Sequence, residues 1–245
     1  MKRRTLSPPA RLRQMHEELM AAYGPQNWWP ARTRFEVILG AYLTQNTSWK
    51  AVERSLGNLR DAGALTIDGL RALSLAELQR LIQPSGFFTR KAPAIKAFVA
   101  LLDTEFGGSL TRMANALTAP LRERLLALSG VGPETADAIL LYALGHAVPV
   151  ADEYLRRIAE RHGLVDARRR ISYDSLTELT REAFAADPDP ERRQLLNEFH
   201  ALTVAVGKAH CGRVARCEGC PLAADFKGVP AAISEAPRKR LRANS

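Results

Sequence analysis

The sequence predicts an all-α protein, and three observations carry that prediction. Apolar residues recur at helical spacing in segment after segment, as Leu12, Met15 and Leu19 do near the start. Glycine and proline pairs such as Gly24-Pro25 and Gly107-Gly108 stop those segments. No run alternates apolar and polar residues over a strand's length; the nearest, 147–150, is short and runs straight into Asp152.

Residues 1–8 are basic and read as a flexible tail. A helix over 9–23 ends at Gly24-Pro25. Proline keeps the next segment, Asn27-Trp28-Trp29-Pro30, extended. Two adjacent indoles outside a helix suit a plug at the edge of the core or a stacking wall for a ring-shaped ligand. A strongly apolar helix over 33–45 leads through the polar run Thr44-Gln45-Asn46-Thr47-Ser48 into a helix over 49–60, with Thr47 or Ser48 as its N-cap. A short helix spans 67–73. Ser74 and Glu77 then match a capping box and start a helix to about 82. After the turn 84–88 comes a longer helix to 106, in which Pro93 falls early enough to cost little. A short helix lies near 110–117. Beyond 150 the spacing predicts helices over 153–162, over 173–185 with Ser175 and Glu178 as a second capping box, and over 192–207 after the turn Asp187-Pro188-Asp189-Pro190.

The 245 residues suffice for one large or two modest domains, and 46% hydrophobic composition argues against general disorder. Lys and Arg number 35 against 26 Asp and Glu, a net charge of +9. Such a surplus suits a polyanion, either nucleic acid or an anionic membrane surface. No apolar run approaches the ~20 residues that span a bilayer. The basic N-terminus has no apolar stretch behind it, so a secretory signal is not expected and a cytoplasmic location is the default. Cys211, Cys217 and Cys220 are the only cysteines. Three clustered thiols suggest a metal site, or the remnant of one, rather than a disulfide framework.

Two features could carry chemistry. The first is the hairpin at about 121–143. Leu121, Leu125, Leu126 and Leu128 give one helix an apolar side, Ser129-Gly130-Val131-Gly132 turns the chain, and Pro133 opens the next helix where its missing N–H is harmless. Glycines at both ends of the turn permit positive φ and leave the backbone bare. Bare amides beside a helix N-terminus make an anion site that reads phosphate rather than base. Val131 can point inward and pin the hairpin. The second feature is Asp152, which follows Val148-Pro149-Val150-Ala151 and starts a helix. Taken alone, a helix cap is the simpler role for it.

Together these residues resemble the helix-hairpin-helix DNA glycosylase superfamily, the endonuclease III-like group. The match comprises Leu128-Ser129-Gly130-Val131-Gly132, Thr135-Ala136-Asp137, the apolar crossing and Asp152. It extends to Phe35-Glu36-Val37-Ile38-Leu39, to Leu43-Thr44-Gln45-Asn46-Thr47 and to the cysteines, covering roughly 25–225. The resemblance implies an endonuclease III-like fold of two helical subdomains with a cleft between them. A helical barrel over 33–147 would hold the hairpin, and 9–32 with 148–225 would form the second domain, followed by a flexible basic tail over 227–245. It implies a partner, double-stranded DNA containing a damaged base, and a protein that acts as a monomer away from membranes. It also implies roles: Asp152 catalytic; Gln45, Gly130, Val131, Gly132 and Thr135 on DNA. An extruded base is reachable where a stacked one is not. Cleaving its N-glycosidic bond develops positive charge on the sugar, which an ionised carboxylate stabilises.

Departures from the family's pattern sharpen the reading. Where bifunctional members carry the lysine that forms a Schiff base, this chain has Glu134, which cannot form an imine. A monofunctional enzyme without AP-lyase activity is therefore expected. The family's [4Fe-4S] loop uses four cysteines. Here the pattern stops at three, with Phe226 about where the fourth belongs, so no cofactor is expected for the chemistry and a cluster is doubtful. A branch resembling bacterial 3-methyladenine glycosylases shares Trp28-Trp29-Pro30, Thr44-Gln45-Asn46-Thr47, the missing lysine and the degraded loop. That resemblance implies an alkylated purine, with Trp28, Trp29, Trp49 and Lys208 at the base pocket; cation–π attraction would favour such bases. The alternatives are a glycosylase for oxidised or mismatched pyrimidines and a catalytically silent DNA-binding protein.

Overall fold

The computed structural model describes residues 6–28, 31–166, 168 and 171–225, and no strand occurs among them, only an isolated bridge between Cys211 and Ala215. The all-α expectation holds. Trp29, Phe226 and the tail from 227 lie outside the described residues. The chain divides into two compact units, one of Asn27–Val150 with Pro188–Asn197, the other of Met1–Gln26, Ala151–Asp187 and Glu198–Ser245.

The first unit is built around α2 (Arg34–Leu43), whose residues are all buried except Arg34. Thr33 caps it, accepting from the Glu36 backbone N–H. The side chain of Glu36 is buried too, and it is ionically satisfied: Arg60 Nη2 donates to Oε1 at 2.6 Å and the Arg32 backbone N–H to Oε2 at 3.0 Å. The other helices pack round this core: α3 (Trp49–Asp61), α4 (Ile67–Ala72), α5 (Leu75–Ile82), α6 (Phe88–Phe106), α7 (Leu110–Ala114), α8 (Thr118–Leu126) and α9 (Pro133–Ala138). The capping box at Ser74 and Glu77 forms as expected. Lys91 of α6 is buried, and its Nζ donates to the carbonyls of Leu43 and Ser85, both at 2.8 Å. It thereby serves the C-terminal end of α2, where carbonyls have no helical partner. Burial lowers its pKa.

The second unit contains α1 (Pro8–Tyr23), α10 (Glu153–Arg161), α11 (Tyr173–Ala183) and the later part of α12 (Asp189–Ala209). Several boundaries differ from expectation, each for a local reason. The helix starts inside the expected tail, at Pro8, because the Ser7 side chain caps it. The second capping box does not form: the cap of α11 is Ser172, which accepts from the Ser175 N–H. The last long helix begins at Asp189 rather than 192, since proline is tolerated in a first turn and Pro190 sits there. Leu117, expected to end α7, is instead 78% exposed and precedes α8. Ser48 occupies the N-cap of α3 without a side-chain cap bond.

His16 lies in the core of this unit against Phe184 and Phe199, with ring centroids 5.4 and 6.2 Å away. Neither ring nitrogen has a hydrogen-bond partner among the described residues. Burial first, and the Arg13 guanidinium second, hold its pKa below the ordinary 6.5. The folded state therefore keeps His16 neutral, while the unfolded chain binds a proton there below about pH 6.5. Its effect on stability is absent at higher pH and becomes a loss as the pH falls through that value. A His16→Leu variant is expected to be more stable by about 1–2 kcal/mol at neutral pH, because an unsatisfied buried polar group is removed. Its acid-unfolding midpoint should move to lower pH; thermal and acid unfolding followed by circular dichroism measure both.

Candidate active site

The hairpin joins α8 to α9. Val131 N–H donates to the Leu128 carbonyl at 3.1 Å and closes the turn, and Val131 itself is buried, as expected. Gly130 has φ +81°, and a Cβ there would stand 3.2 Å from the Ala94 Cβ, so this position calls for glycine twice over. Gly132 differs from expectation. Its φ is −91°, in ordinary extended backbone, and no described residue lies within 4 Å of a Cβ built on it. The folded chain does not itself require glycine at 132. An exposed backbone bare of side chain beside the first amides of α9 suits a ligand that must come close.

Two contacts brace this turn. Arg122 of α8 donates from Nε and Nη2 to both oxygens of Asp137 on α9, at 2.6 and 2.9 Å, with Asp137 almost fully buried. This bidentate pair locks the helices of the hairpin together. Gln45, from the polar turn between α2 and α3, donates from Nε2 to the Gly130 carbonyl at 3.0 Å and to the Thr135 hydroxyl at 2.9 Å. Gln45, Gly130 and Thr135 are therefore brought together, and the amide of Gln45 is engaged with the hairpin. The exposed tip of its turn is Asn46, in the left-handed region at φ +53°. Glu134 is exposed in the first turn of α9. Past Ala138 the helix widens into a π turn, Ile139–Leu144, an arrangement often met near functional sites. It carries Tyr142, against which Trp28 packs edge-on at 5.8 Å.

Asp152 is the N-cap of α10. Its Oδ1 accepts from the Leu155 backbone N–H at 2.8 Å. Its Oδ2 lies 3.8 Å from His200 Nε2, beyond hydrogen-bond range, and the carboxylate is only 12% exposed. Burial lowers the pKa of His200, with Asp152 pulling the other way. A neutral imidazole leaves the charge of the carboxylate uncancelled. Lys208, near the C-terminus of α12, is exposed. Just before it, Gly207 faces Tyr154 of α10: a Cβ there would fall 2.6 Å from the Tyr154 Cβ and nearer still to its ring.

Trp49, at the first position of α3, donates from Nε1 to Glu53 at 3.0 Å. With Ala31, Arg32, Leu56 and Arg60 it lines a cavity of about 410 Å³ within the first unit. That volume is in the range of small-molecule pockets. Cys211 is buried, Cys217 exposed and Cys220 between the two. All three line a cavity of about 10 Å³ together with His210 and Arg161, and no group of three metal-ligating side chains is in reach of one ion among the described residues.

Arg122, His200, Asn46 and Glu53 were not singled out from the sequence. Arg122 and Glu53 carried a faint signal, since Glu53 lies one helical turn from Trp49 and Arg122 lies 15 residues from Asp137 across the hairpin. His200 carried none, because only packing brings it to Asp152.

Residues 39–185 match the family described as HhH-GPD superfamily base excision DNA repair protein. A curated protein of Methanocaldococcus jannaschii, provisionally named a DNA repair glycosylase, is 38% identical over 210 residues, which is 85% of this chain and 92% of that one. Endonuclease III of Bacillus subtilis is 25% identical over 189 residues, 77% of this chain and 78% of that one. Among solved structures, the 3-methyladenine DNA glycosylase MagIII of H. pylori bound to 1,N6-ethenoadenine superposes with a TM-score of 0.68 at 28% identity, covering 83% of this chain and 98% of that one. An endonuclease III–DNA complex gives 0.70 at 21% identity, covering 90% and 95%, a likeness of fold. With the hairpin and Asp152 inside or beside these matches, the chain belongs to the HhH-GPD superfamily of base excision DNA repair proteins, as a DNA glycosylase.

Proposed function

We propose that this protein is a monofunctional glycosylase that releases an alkylated purine, such as 3-methyladenine, from duplex DNA. The observation that carries the chemistry is the state of Asp152. One carboxylate oxygen caps α10; the other makes no hydrogen bond among the described residues and lies 3.8 Å from His200 Nε2, on an imidazole that burial disfavours protonating. Such an oxygen is available to stabilise positive charge that develops on the sugar as the N-glycosidic bond breaks. Water then adds to the sugar carbon and the base leaves, giving an abasic site. The hairpin supplies the grip on the phosphates, and the bare Gly132 lets the backbone approach them.

Glu134 supports the monofunctional reading, because a carboxylate offers no amine for a Schiff base. The purine reading is supported by likeness to MagIII and by the aromatic side chains of Trp28 and Trp49. We assign Trp28 and Trp49 to contacts with the damaged base. Likeness to endonuclease III of B. subtilis favours a second reading, in which oxidised or mismatched pyrimidines are the substrates. Single-turnover excision on duplexes carrying alkylated purines, oxidised pyrimidines or mismatches separates the two. Release is expected from the alkylated purines, with no covalent adduct trapped by borohydride. Faster release from pyrimidine lesions would overturn the purine assignment, and a trapped adduct would overturn the monofunctional one.

A further inference from the structure

The family's iron–sulfur loop raises a question of fit. A [4Fe-4S] cluster takes four thiolates, and this chain has three cysteines. The cavity those three share, about 10 Å³, has room for about one water. These residues do not fit a cluster.

They do form a closure of a different kind. Arg161, in the last turn of α10, donates from Nη2 to the carbonyls of Gly212 and Arg213, at 2.9 and 3.1 Å. That holds the start of the loop. At its far end, Asp225 takes the Arg11 fork on both oxygens, at 3.0 Å from Nε and 2.5 Å from Nη2. His162 Nδ1 donates to the same carboxylate at 2.9 Å, and Arg11 Nη2 reaches the His162 carbonyl at 2.8 Å. Within the loop, the Arg216 N–H donates to the His210 carbonyl at 2.9 Å, and the His210 ring returns a bond to the Arg216 carbonyl. Both ends of the loop are thus fastened to α1 and to the end of α10, the helix that Asp152 begins.

We infer that the loop from Cys211 to Asp225 is closed by this arginine–carboxylate–carbonyl clasp and that its closure needs no metal. Asp225, next to the position of the missing fourth thiol, is the tether. Bidentate pairing at a site this little exposed is among the stronger polar contacts available to a protein. Cys211 then contributes by packing, and neither Cys217 nor Cys220 is needed as a metal ligand.

Full-length protein purified without air from iron-supplemented cells tests this directly. Iron and zinc are expected well below one per chain, with an unchanged melting temperature after chelation. Near-stoichiometric metal, or a lower Tm on chelation, would overturn the inference. Replacing Cys217 and Cys220 together with serine should leave Tm within a degree or two. Asp225→Asn should lower it by about 5 °C or more. If Asp225→Asn does not fold, Arg11→Lys, which keeps the charge but loses the fork, gives the same reading with a smaller fall. Should the cysteine pair prove the costlier change, the clasp is not what holds the loop.

Discussion

Asp152→Asn is expected to reduce single-turnover excision by at least about 10²–10³-fold, the size of effect found when one preorganised charge-stabilising group is removed from an active site. Folding should be untouched. Asparagine caps a helix about as well as aspartate, and its carbonyl can still accept from the Leu155 N–H. Duplex affinity should also persist, because the hairpin amides and Gly132 do not depend on this carboxylate. The comparison with Asp152→Ala makes the test decisive. Alanine loses the cap as well, at about 1 kcal/mol, so it should be less stable than the asparagine variant but no more defective in excision. If Asp152 served only as a cap, the order would invert: asparagine would excise normally and alanine alone would be impaired. Normal excision by the asparagine variant would remove Asp152 from the chemistry and leave a DNA-binding protein whose glycosylase centre lies elsewhere. Excision kinetics, a binding titration and a thermal melt on the two variants read all three quantities.

Gly207→Ala should be the most damaging small substitution in the second unit. A methyl group there meets Cβ and the ring of Tyr154 well inside contact distance. Tyr154 cannot swing clear, because its Cβ is fixed by the backbone of α10. The helices must move apart or bend, an overpacking strain of about 2–3 kcal/mol. For a chain of this length that is about 5–10 °C in Tm. Tyr154 stands two residues after Asp152, so the displacement also reaches the carboxylate, and excision should fall with the same substitution at a temperature where the protein is fully folded. A variant with unchanged Tm would mean that α10 and α12 are not held together at this contact.

Much of the architecture was readable from residue order. Helix periodicity, the stops at Gly24 and Gly107, the capping box at Ser74 and the proline start of α9 involve neighbours within a turn or two. Where that reading slipped, a nearby competitor won: Ser172 rather than Ser175 caps α11, and Pro190 belongs to a helix's first turn instead of ending a loop. The π turn at Ile139–Leu144 had no sequence signal, since ILLYAL reads as ordinary helix.

The candidate site divides in the same way. The glycines of the hairpin and the acid before α10 are legible in order, because each is set by its own short stretch of backbone; Glu134 stands out only through the family resemblance. Residue order alone says that Asp152 is a good cap. Only the folded chain says that one of its oxygens remains available and that the nearby imidazole is uncharged. Likewise residue order shows Gln45 only as part of a polar turn, and it is packing that joins it to Gly130 and Thr135, 85 and 90 positions away. Three cysteines suggested a damaged metal site, and the partners that close the loop instead come from residues as distant as Arg11. Local propensity acts over a few residues and is written in their sequence. Charge state, burial and polar pairing depend on which distant side chains the packed core brings together.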